Sequence, residues 1–206
     1  MAGYTQNRST NFDGSILLNN EGVITVKALF IHGNGGCTAS HHWYKSAAGE
    51  LSGLGLDVIL ETFPDNIIAH QDIWLDFMEE QLNGNSDVIL IGHSSGALAA
   101  MRYAESHSLV GSVLVSASHT DLGDPNEKAS GFYDAPWQWG AIKANQQWII
   151  QFHSEDDHLI TVDEARYVRD QLTPDYHEFK DRGHFMASDS GGKYFPELVE
   201  AIKQKL

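Results

Sequence analysis

Two serines stand between two glycines in the segment GHSSG, which covers Gly92 to Gly96. Gly92, Ser94 and Gly96 match the spacing Gly-x-Ser-x-Gly, whereas Ser95 is out of register by one position. The apolar run DVILI precedes the segment and the alanine-rich run ALAAMRYAE follows it. Where a strand turns directly into a helix at this spacing, the serine is held in a strained turn with its hydroxyl exposed. Ser94 is therefore predicted to be a nucleophile, and the backbone N–H of Ser95 is predicted to bind an oxyanion.

A serine nucleophile needs a base, and the base needs a carboxylate that orients it. After a turn of this kind the acid and the histidine follow the serine in that order, on loops after later strands. The chain has 11 histidines, and His184, in the segment DRGHF, comes directly after the last predicted strand. Its position in the chain order predicts that His184 is the base.

The acid is expected in the segment FHSEDDHLIT, at the end of the preceding predicted strand. Glu155, Asp156 and Asp157 compete for this role. Asp157 has the better register, because Thr161 would then cap the next helix and Glu164 would complete a capping box. Asp157 is our choice and Asp156 the alternative. The segment has no standard metal-ligand spacing, so no metal is predicted.

A second oxyanion donor is expected from the loop after the first predicted strand, FIHGNGGCT. Its glycines allow backbone N–H groups to point at a developing oxyanion. Asn34 is the first choice as donor and Gly35 the second. The loop lacks the lysine of GxxxxGK[ST] and the full GxGxxG spacing, which argues against a nucleotide, and no cofactor is predicted.

Aromatic residues are concentrated in SGFYDAPWQWG, where they could form the wall of an apolar pocket or pack as ordinary core residues. The pocket candidates from this segment are Phe132, Trp137 and Trp139. His32 and His93 lie beside glycine-rich turns and are added as candidates. The sequence leaves both interpretations of these residues open.

Short apolar runs alternate with helical periods along the chain, which is typical of a parallel sheet with helices on both faces. The strands are predicted in 24–32, 57–61, 87–92, 110–117, 147–153 and 175–180, and the helices in 42–54, 69–82, 95–107, 136–144, 161–172 and 193–205. The sequence thus predicts a three-layer α/β/α sandwich around a mostly parallel sheet of about six strands. Functional residues are expected at the carboxyl ends of its strands.

The length of 206 residues predicts a single domain over 1–206. Turn residues in SILLNNEGVITV favour a hairpin, so residues 1–23 are expected to form an N-terminal extension with a hairpin. The irregular stretch from Ser118 to Ala135 is longer than most connections. We therefore expect 118–144 to act as a short lid-like segment.

The composition argues against polyanionic partners. Lys and Arg number 13 and Asp and Glu 28, which gives a formal net charge of −15. Such a surface repels phosphate backbones and anionic lipid, so neither a nucleic acid nor a membrane is predicted as a partner. No apolar run approaches the length of a membrane span, the first 20 residues lack a signal core, and Cys37 is the single cysteine. We expect a soluble, cytoplasmic protein.

The motifs HGNGG, HWY, FPD, IGHSSGALAAMRYAE, QFHSEDD and GHF occur in this order. They resemble those of the retinoblastoma-binding protein 9 family of serine hydrolases, from about Lys27 to the C-terminus. The resemblance implies a compact α/β-hydrolase fold with a Ser-Asp-His triad. Residue by residue, it implies Ser94 as nucleophile, Asp157 rather than Asp156 as acid, and His184 as base.

Two departures from that family limit what the resemblance implies. The first 20 or so residues have no counterpart in it. The chain also lacks the Leu-x-Cys-x-Glu type motif to which the family's retinoblastoma-protein interaction is attributed, so this partner is not expected.

These features predict a serine hydrolase, of the carboxylesterase or amidase type, that cleaves a small ester or amide by acyl transfer without a cofactor. The competing class is a non-catalytic partner-binding protein on the same scaffold, since a fold does not fix a function. Three polar residues in the order of a triad argue against that class. A fluorophosphonate probe distinguishes the two, because it labels only an activated serine.

Overall fold

The computed structural model describes residues 25–206 and two short strands before them. These strands, Leu18–Asn19 (β1) and Gly22–Val23 (β2), pair antiparallel, with Leu18 opposite Val23. They lie in the segment for which the sequence predicts a hairpin. The remainder of the predicted extension, 1–17 and 20–21, lies outside the described residues, as does residue 24.

In the part of the chain from residue 25 onward, six strands form a parallel sheet. They are Lys27–Ile31 (β3), Asp57–Ile59 (β4), Val88–His93 (β5), Leu109–Val115 (β6), Gln146–Ser154 (β7) and Asp175–Phe179 (β8). Their order across the sheet is β4-β3-β5-β6-β7-β8, and each adjacent pair is parallel. Every residue of β5 is buried, because helices cover both faces of the sheet and neither face tolerates a polar stripe.

Within residues 25–206, seven helices accompany the sheet. They are Tyr44–Gly53 (α1), Gln71–Leu82 (α2), Ser95–Ala104 (α3), Pro125–Ala129 (α4), Trp139–Ala144 (α5), Val162–Leu172 (α6) and Pro196–Lys203 (α7). Side chains of α2, α3, α5 and α6 pack on one face of the sheet, around Leu90. Side chains of α1 and α7 pack on the other face, around Ile89 and Ile91. The predicted three-layer α/β/α sandwich is confirmed. No helix among the described residues has the length and apolarity that crossing a bilayer requires.

Helix α4 lies in the stretch that the sequence leaves irregular. Asp124 caps it: its Oδ1 accepts from the backbone N–H of Asn126 at 2.7 Å and of Glu127 at 3.2 Å. Pro125 occupies the first turn, where no intrahelical N–H bond is lost. The helix has only five residues and no buried residue, so it leaves no apolar period in the sequence.

The capping box predicted at the start of α6 is wrong. The side chain of Thr161 makes no capping bond. The carboxylate of Glu164 instead accepts from the backbone N–H groups of His119, at 2.8 Å, and Thr120, at 3.0 Å, and from the Thr120 hydroxyl at 2.6 Å. Glu164 therefore connects the loop after β6 to α6, because three donors of that loop bind its carboxylate.

Candidate active site

The turn from β5 into α3 is a strained backbone position occupied by Ser94. Its φ is 55° and its ψ is −123°, a region that side chains other than glycine rarely adopt. A Cβ at Gly92 would overlap the backbone of Gly96, and a Cβ at Gly96 would overlap the carbonyl of Ile31. The two glycines thus allow the tight turn, and the residue at its apex is Ser94. Ser95 is the first residue of α3 and its side chain is buried.

Asp157 and His184 form a buried pair at the carboxyl end of the sheet. His184 Nδ1 lies 2.9 Å from Oδ2 and 3.0 Å from Oδ1 of Asp157. Oδ1 also accepts from the backbone N–H groups of Leu159 and Ile160, both at 2.9 Å. Because a carboxylate only accepts, Nδ1 of His184 carries the proton and its Nε2 is left to take one up.

The hydrogen bonds of Asp157 stabilise its ionised carboxylate. Burial by itself would raise the pKa of this carboxyl, but the hydrogen bond and charge of His184, with the N–H groups of Ile160 and Leu159, lower it to about 2. Ser116 adds a further donor, with Oγ 2.9 Å from Oδ2. Ser116 was missed by sequence reasoning; its signal is a small polar residue directly after β6, the strand beside that of Ser94.

Asp156, the alternative acid, faces away from the His184 ring. Its Oδ1 accepts from the Ser154 hydroxyl at 2.6 Å and from the backbone N–H of Gly183 at 2.8 Å. The Ser154 bond is the main cause that lowers the pKa of Asp156. Asp156 therefore holds the backbone that leads to His184, and the structure brings Asp157, not Asp156, to the imidazole.

Ser94 and His184 lie at the same end of the sheet. The ring of His184 is 5.0 Å, centroid to centroid, from the ring of His93, which directly precedes Ser94. Among the described residues no hydrogen bond joins the Ser94 hydroxyl to the His184 ring. Such bonds are often long in free enzymes and tighten when a substrate binds.

The loop after β3 passes close to Ser94, since a Cβ at Gly33 would lie 3.3 Å from the Cβ of Ser94. Within the described part of the chain, the backbone N–H groups of Asn34 and Ser95 have no acceptor. Gly35 does not fit the predicted donor role, because its N–H donates to the carbonyl of Ile67 at 3.1 Å. Two N–H groups are therefore available to an oxyanion at this position.

A cavity of about 390 Å³ lies beside Ser94. Its lining comes from four loops, helix α4 and the turn into α3: Asn34, Gly35, Ile67, Ser94, Ser95, Leu98, Ser118, Leu122, Asp124, Asn126, Glu127, Leu159 and Ile160. Its charged residues, Asp124 and Glu127, are both acidic. Ile67, Leu122 and Leu159 are large apolar side chains that are 40–59% exposed. The cavity thus combines an apolar mouth with two carboxylates.

The two histidines predicted for the pocket lie outside this cavity. His32 is buried, with Nε2 accepting from the backbone N–H of Phe63 at 2.8 Å and its ring against Trp74. His93 is buried and points to the side of the sheet where α1 lies, with Nδ1 2.6 Å from the Tyr44 hydroxyl. The prediction that these two histidines line the pocket is wrong, because each ring forms buried hydrogen bonds between separate segments of the fold.

The three aromatic candidates are also wrong as pocket residues. Phe132 is fully buried in the core. Trp137 donates to the carbonyl of His119 at 3.0 Å, and the guanidinium of Arg102 stacks 3.8 Å from its ring. Trp139 stacks on Trp137, with centroids 5.6 Å apart. They stabilise the 118–144 segment, while the cavity wall comes from its first part, including α4.

The described residues hold no group of three or more His, Cys, Asp or Glu side chains arranged to bind a metal.

Comparison with known proteins identifies the family of the chain. A family model described as serine hydrolase matches residues 28–204. Serine hydrolase RBBP9 of Rattus norvegicus is 45% identical over 183 residues, which are 88% of this chain and 96% of that protein. The predicted resemblance to the retinoblastoma-binding protein 9 family is confirmed.

Solved structures are similar at lower identity. The ydeN gene product from B. subtilis superposes with a TM-score of 0.80 at 20% identity, over 88% of this chain and 98% of that one. Est1E from Butyrivibrio proteoclasticus gives a TM-score of 0.66 at 12% identity, over 87% and 86%. These likenesses confirm the compact α/β-hydrolase fold. With the family match across most of its length, the chain belongs to the serine hydrolases.

Proposed function

We propose that this serine hydrolase cleaves a small ester or amide by acyl transfer, with Ser94 as nucleophile, His184 as base and Asp157 as acid. The observation that carries the proposal is the buried contact of Asp157 with Nδ1 of His184, at 2.9 Å, at the sheet end where Ser94 occupies its strained turn. In the neutral imidazole, this contact places the proton on Nδ1 and leaves the lone pair of Nε2 available to act as base.

In the proposed mechanism, Ser94 Oγ attacks the carbonyl carbon of the substrate while Nε2 of His184 takes the hydroxyl proton. Asp157 keeps the imidazole in one tautomer and stabilises the imidazolium that forms. The imidazolium then protonates the leaving alcohol or amine as the carbon–oxygen or carbon–nitrogen bond breaks. Water, deprotonated by His184, hydrolyses the acyl-enzyme by the reverse sequence.

The oxyanion of each tetrahedral intermediate would be bound by the backbone N–H groups of Asn34 and Ser95. Both groups lack another acceptor among the described residues. The N–H of Ser95 also lies at the N-terminus of α3, where the helix dipole favours negative charge. These donors act on the charge that appears only during reaction, so they lower the barrier rather than strengthen substrate binding.

The cavity supports a small-molecule substrate. Its volume of about 390 Å³ lies in the range of small-ligand sites. Leu98 and Ile160 line it next to Ser94 and Ser95, which suits an apolar acyl group. We further propose that the chain is a single domain in which 118–144 acts as a lid. The part of this segment that forms the cavity wall is hydrogen-bonded to Glu164 and to Asn34.

A hydrolysis panel tests this proposal. Nitrophenyl esters of increasing acyl length and the matching anilides are offered to the wild-type protein and to Ser94→Ala. We expect ester or amide turnover by the wild type alone, and the ratio of the two rates identifies the preferred bond. If the wild type hydrolyses none of the panel and does not react with a fluorophosphonate, the proposal fails and the binding-protein class gains support.

A further inference from the structure

His93, the last residue of β5, makes two buried hydrogen bonds that bridge separate parts of the fold. Its Nε2 lies 2.8 Å from the carbonyl oxygen of His184, and its Nδ1 lies 2.6 Å from the hydroxyl of Tyr44 on α1. A carbonyl oxygen only accepts, so Nε2 carries the proton. In the neutral ring, Nδ1 accepts from the Tyr44 hydroxyl. The neutral Nε2–H tautomer thus satisfies both ring nitrogens.

We infer that His93 is a positioning residue: through its hydrogen bond to the His184 carbonyl, it sets the distance between the base and the neighbouring nucleophile Ser94. This inference rests on the proposed function. His93 does not line the cavity, and its hydrogen bond reaches His184 at the backbone carbonyl.

The other contacts of the His184 loop bind its N–H groups. Asp189 Oδ2 accepts from the N–H of His184 at 3.0 Å and of Met186 at 2.9 Å. The Nδ1 of His42 accepts from the N–H of Ala187 at 2.9 Å. None of these contacts reaches β5. The bond from His93 is the one that joins the strand of Ser94 to the residue that carries the base.

The neutral state of His93 also suits the reaction. Its ring centroid is 5.0 Å from that of His184, so a charge on His93 would oppose the imidazolium that His184 forms. Burial lowers the pKa of His93 well below its usual value, and the charges of His184 and His42 lower it further, against the opposing charge of Asp157. Trp43 and Tyr44 pack against the ring and exclude water. Among the described residues, the His184 carbonyl is the hydrogen-bond acceptor for the Nε2 proton.

Three variants separate positioning from packing. His93→Gln keeps a donor that can reach the His184 carbonyl, whereas His93→Leu fills the space without one. Tyr44→Phe removes the partner of Nδ1 and leaves the Nε2 donor in place. Leu172→Ala, in the core on the other face of the sheet, controls for a general loss of stability.

We expect His93→Leu to lower kcat by about 10- to 100-fold, with little change in KM, because a small displacement of a catalytic group has an effect of this size. His93→Gln is expected to retain most of kcat, and Tyr44→Phe to lose only a few-fold, because in both variants a donor to His184 remains. Leu172→Ala is expected to lower the melting temperature without changing kcat at temperatures where it stays folded.

Nitrogen NMR gives a readout that does not depend on activity. In the wild-type protein at pH 7, the His93 ring is expected to be neutral with its proton on Nε2, and this tautomer should persist in Tyr44→Phe. This measurement tests the hydrogen bond on which the inference depends, independently of activity and of the folding of His93→Leu. A charged His93, a proton on Nδ1, or a folded His93→Leu with wild-type kcat would overturn it. So would a loss in His93→Gln as large as in His93→Leu.

Discussion

The side-chain amide of Asn34 donates to Oε1 of Glu127 at 2.7 Å and joins the loop after β3 to helix α4 across the cavity. Burial raises the pKa of Glu127, the Asn34 bond opposes this, and the charge of Asp124 reinforces it. Both carboxylates line the cavity, and no lining residue carries a positive charge. The contact therefore places negative potential where the substrate would bind.

A substrate with an anionic acyl group should be hydrolysed more slowly than a neutral one of equal length. Glu127→Gln keeps an oxygen that can accept from Asn34 but removes the charge. We expect it to raise kcat/KM for a succinate half-ester about three- to tenfold relative to a butyrate ester, since charges a few ångströms apart interact by about 1 kcal/mol or more at a partly buried site. Glu80→Gln removes an exposed charge outside the cavity and serves as the control. An unchanged ratio in Glu127→Gln would show that this carboxylate does not act on the substrate.

Asp157 and Asp156 are expected to differ sharply in their effect on hydrolysis. Asp157→Asn removes the acceptor charge at His184 and allows the wrong tautomer, with a loss of about 10⁴ in kcat, as known for the triad carboxylate of serine proteases. Asp156→Asn keeps an oxygen for Ser154 and Gly183, so its loss should be far smaller. Both are measured as kcat/KM on one ester, with circular dichroism to verify folding. Equal losses would mean that the two carboxylates act as one network.

Stability should fall as the pH is lowered from about 6.5 to about 4. Burial, with the charges of His41 and His184, lowers the pKa of His42 to about 4, against the opposing charge of Asp189. The unfolded chain takes up this proton near pH 6.5, so it binds more protons than the folded chain within this window. Unfolding is therefore favoured as the pH falls. Burial also lowers the pKa of His32, His93 and His153, so these residues contribute to the same loss of stability.

Melting temperatures across this window test the assignment. His42→Gln keeps an acceptor for the N–H of Ala187 and should flatten the decline, whereas His158→Gln, at an exposed position, should leave it unchanged. A decline of the same slope in His42→Gln and in the wild type would contradict a role for His42.

The strand-to-helix turn could be predicted from the sequence because its cause is local. A Cβ at Gly92 would overlap the backbone of Gly96, four residues further along, and the buried strand before the turn is a continuous apolar run. The approach of Asp157 to His184 also followed from chain order, because parallel strands bring their carboxyl ends to one edge. Their roles in catalysis stay predictions until the variants are measured.

The cavity wall could not be predicted because it depends on contacts between distant segments. Trp137 looked like a pocket residue, but Arg102 and the His119 carbonyl hold it in the segment's own packing. Glu164 fitted a local capping box, yet loop donors 44 and 45 residues away bind its carboxylate. The residue type shows that a buried indole N–H or carboxylate needs a hydrogen-bond partner. Which residue becomes that partner depends on how distant segments pack in the folded chain.

The central claim is that Ser94 is an activated nucleophile. The most direct measurement is labelling with a fluorophosphonate probe, followed by peptide mass spectrometry to locate the modified residue, on the wild type, Ser94→Ala and Ser95→Ala. Because Ser95 contributes only its backbone N–H, we expect one label on Ser94 in the wild type and in Ser95→Ala, and none in Ser94→Ala. A label on Ser95, or an unlabelled wild type that is folded, would contradict the account.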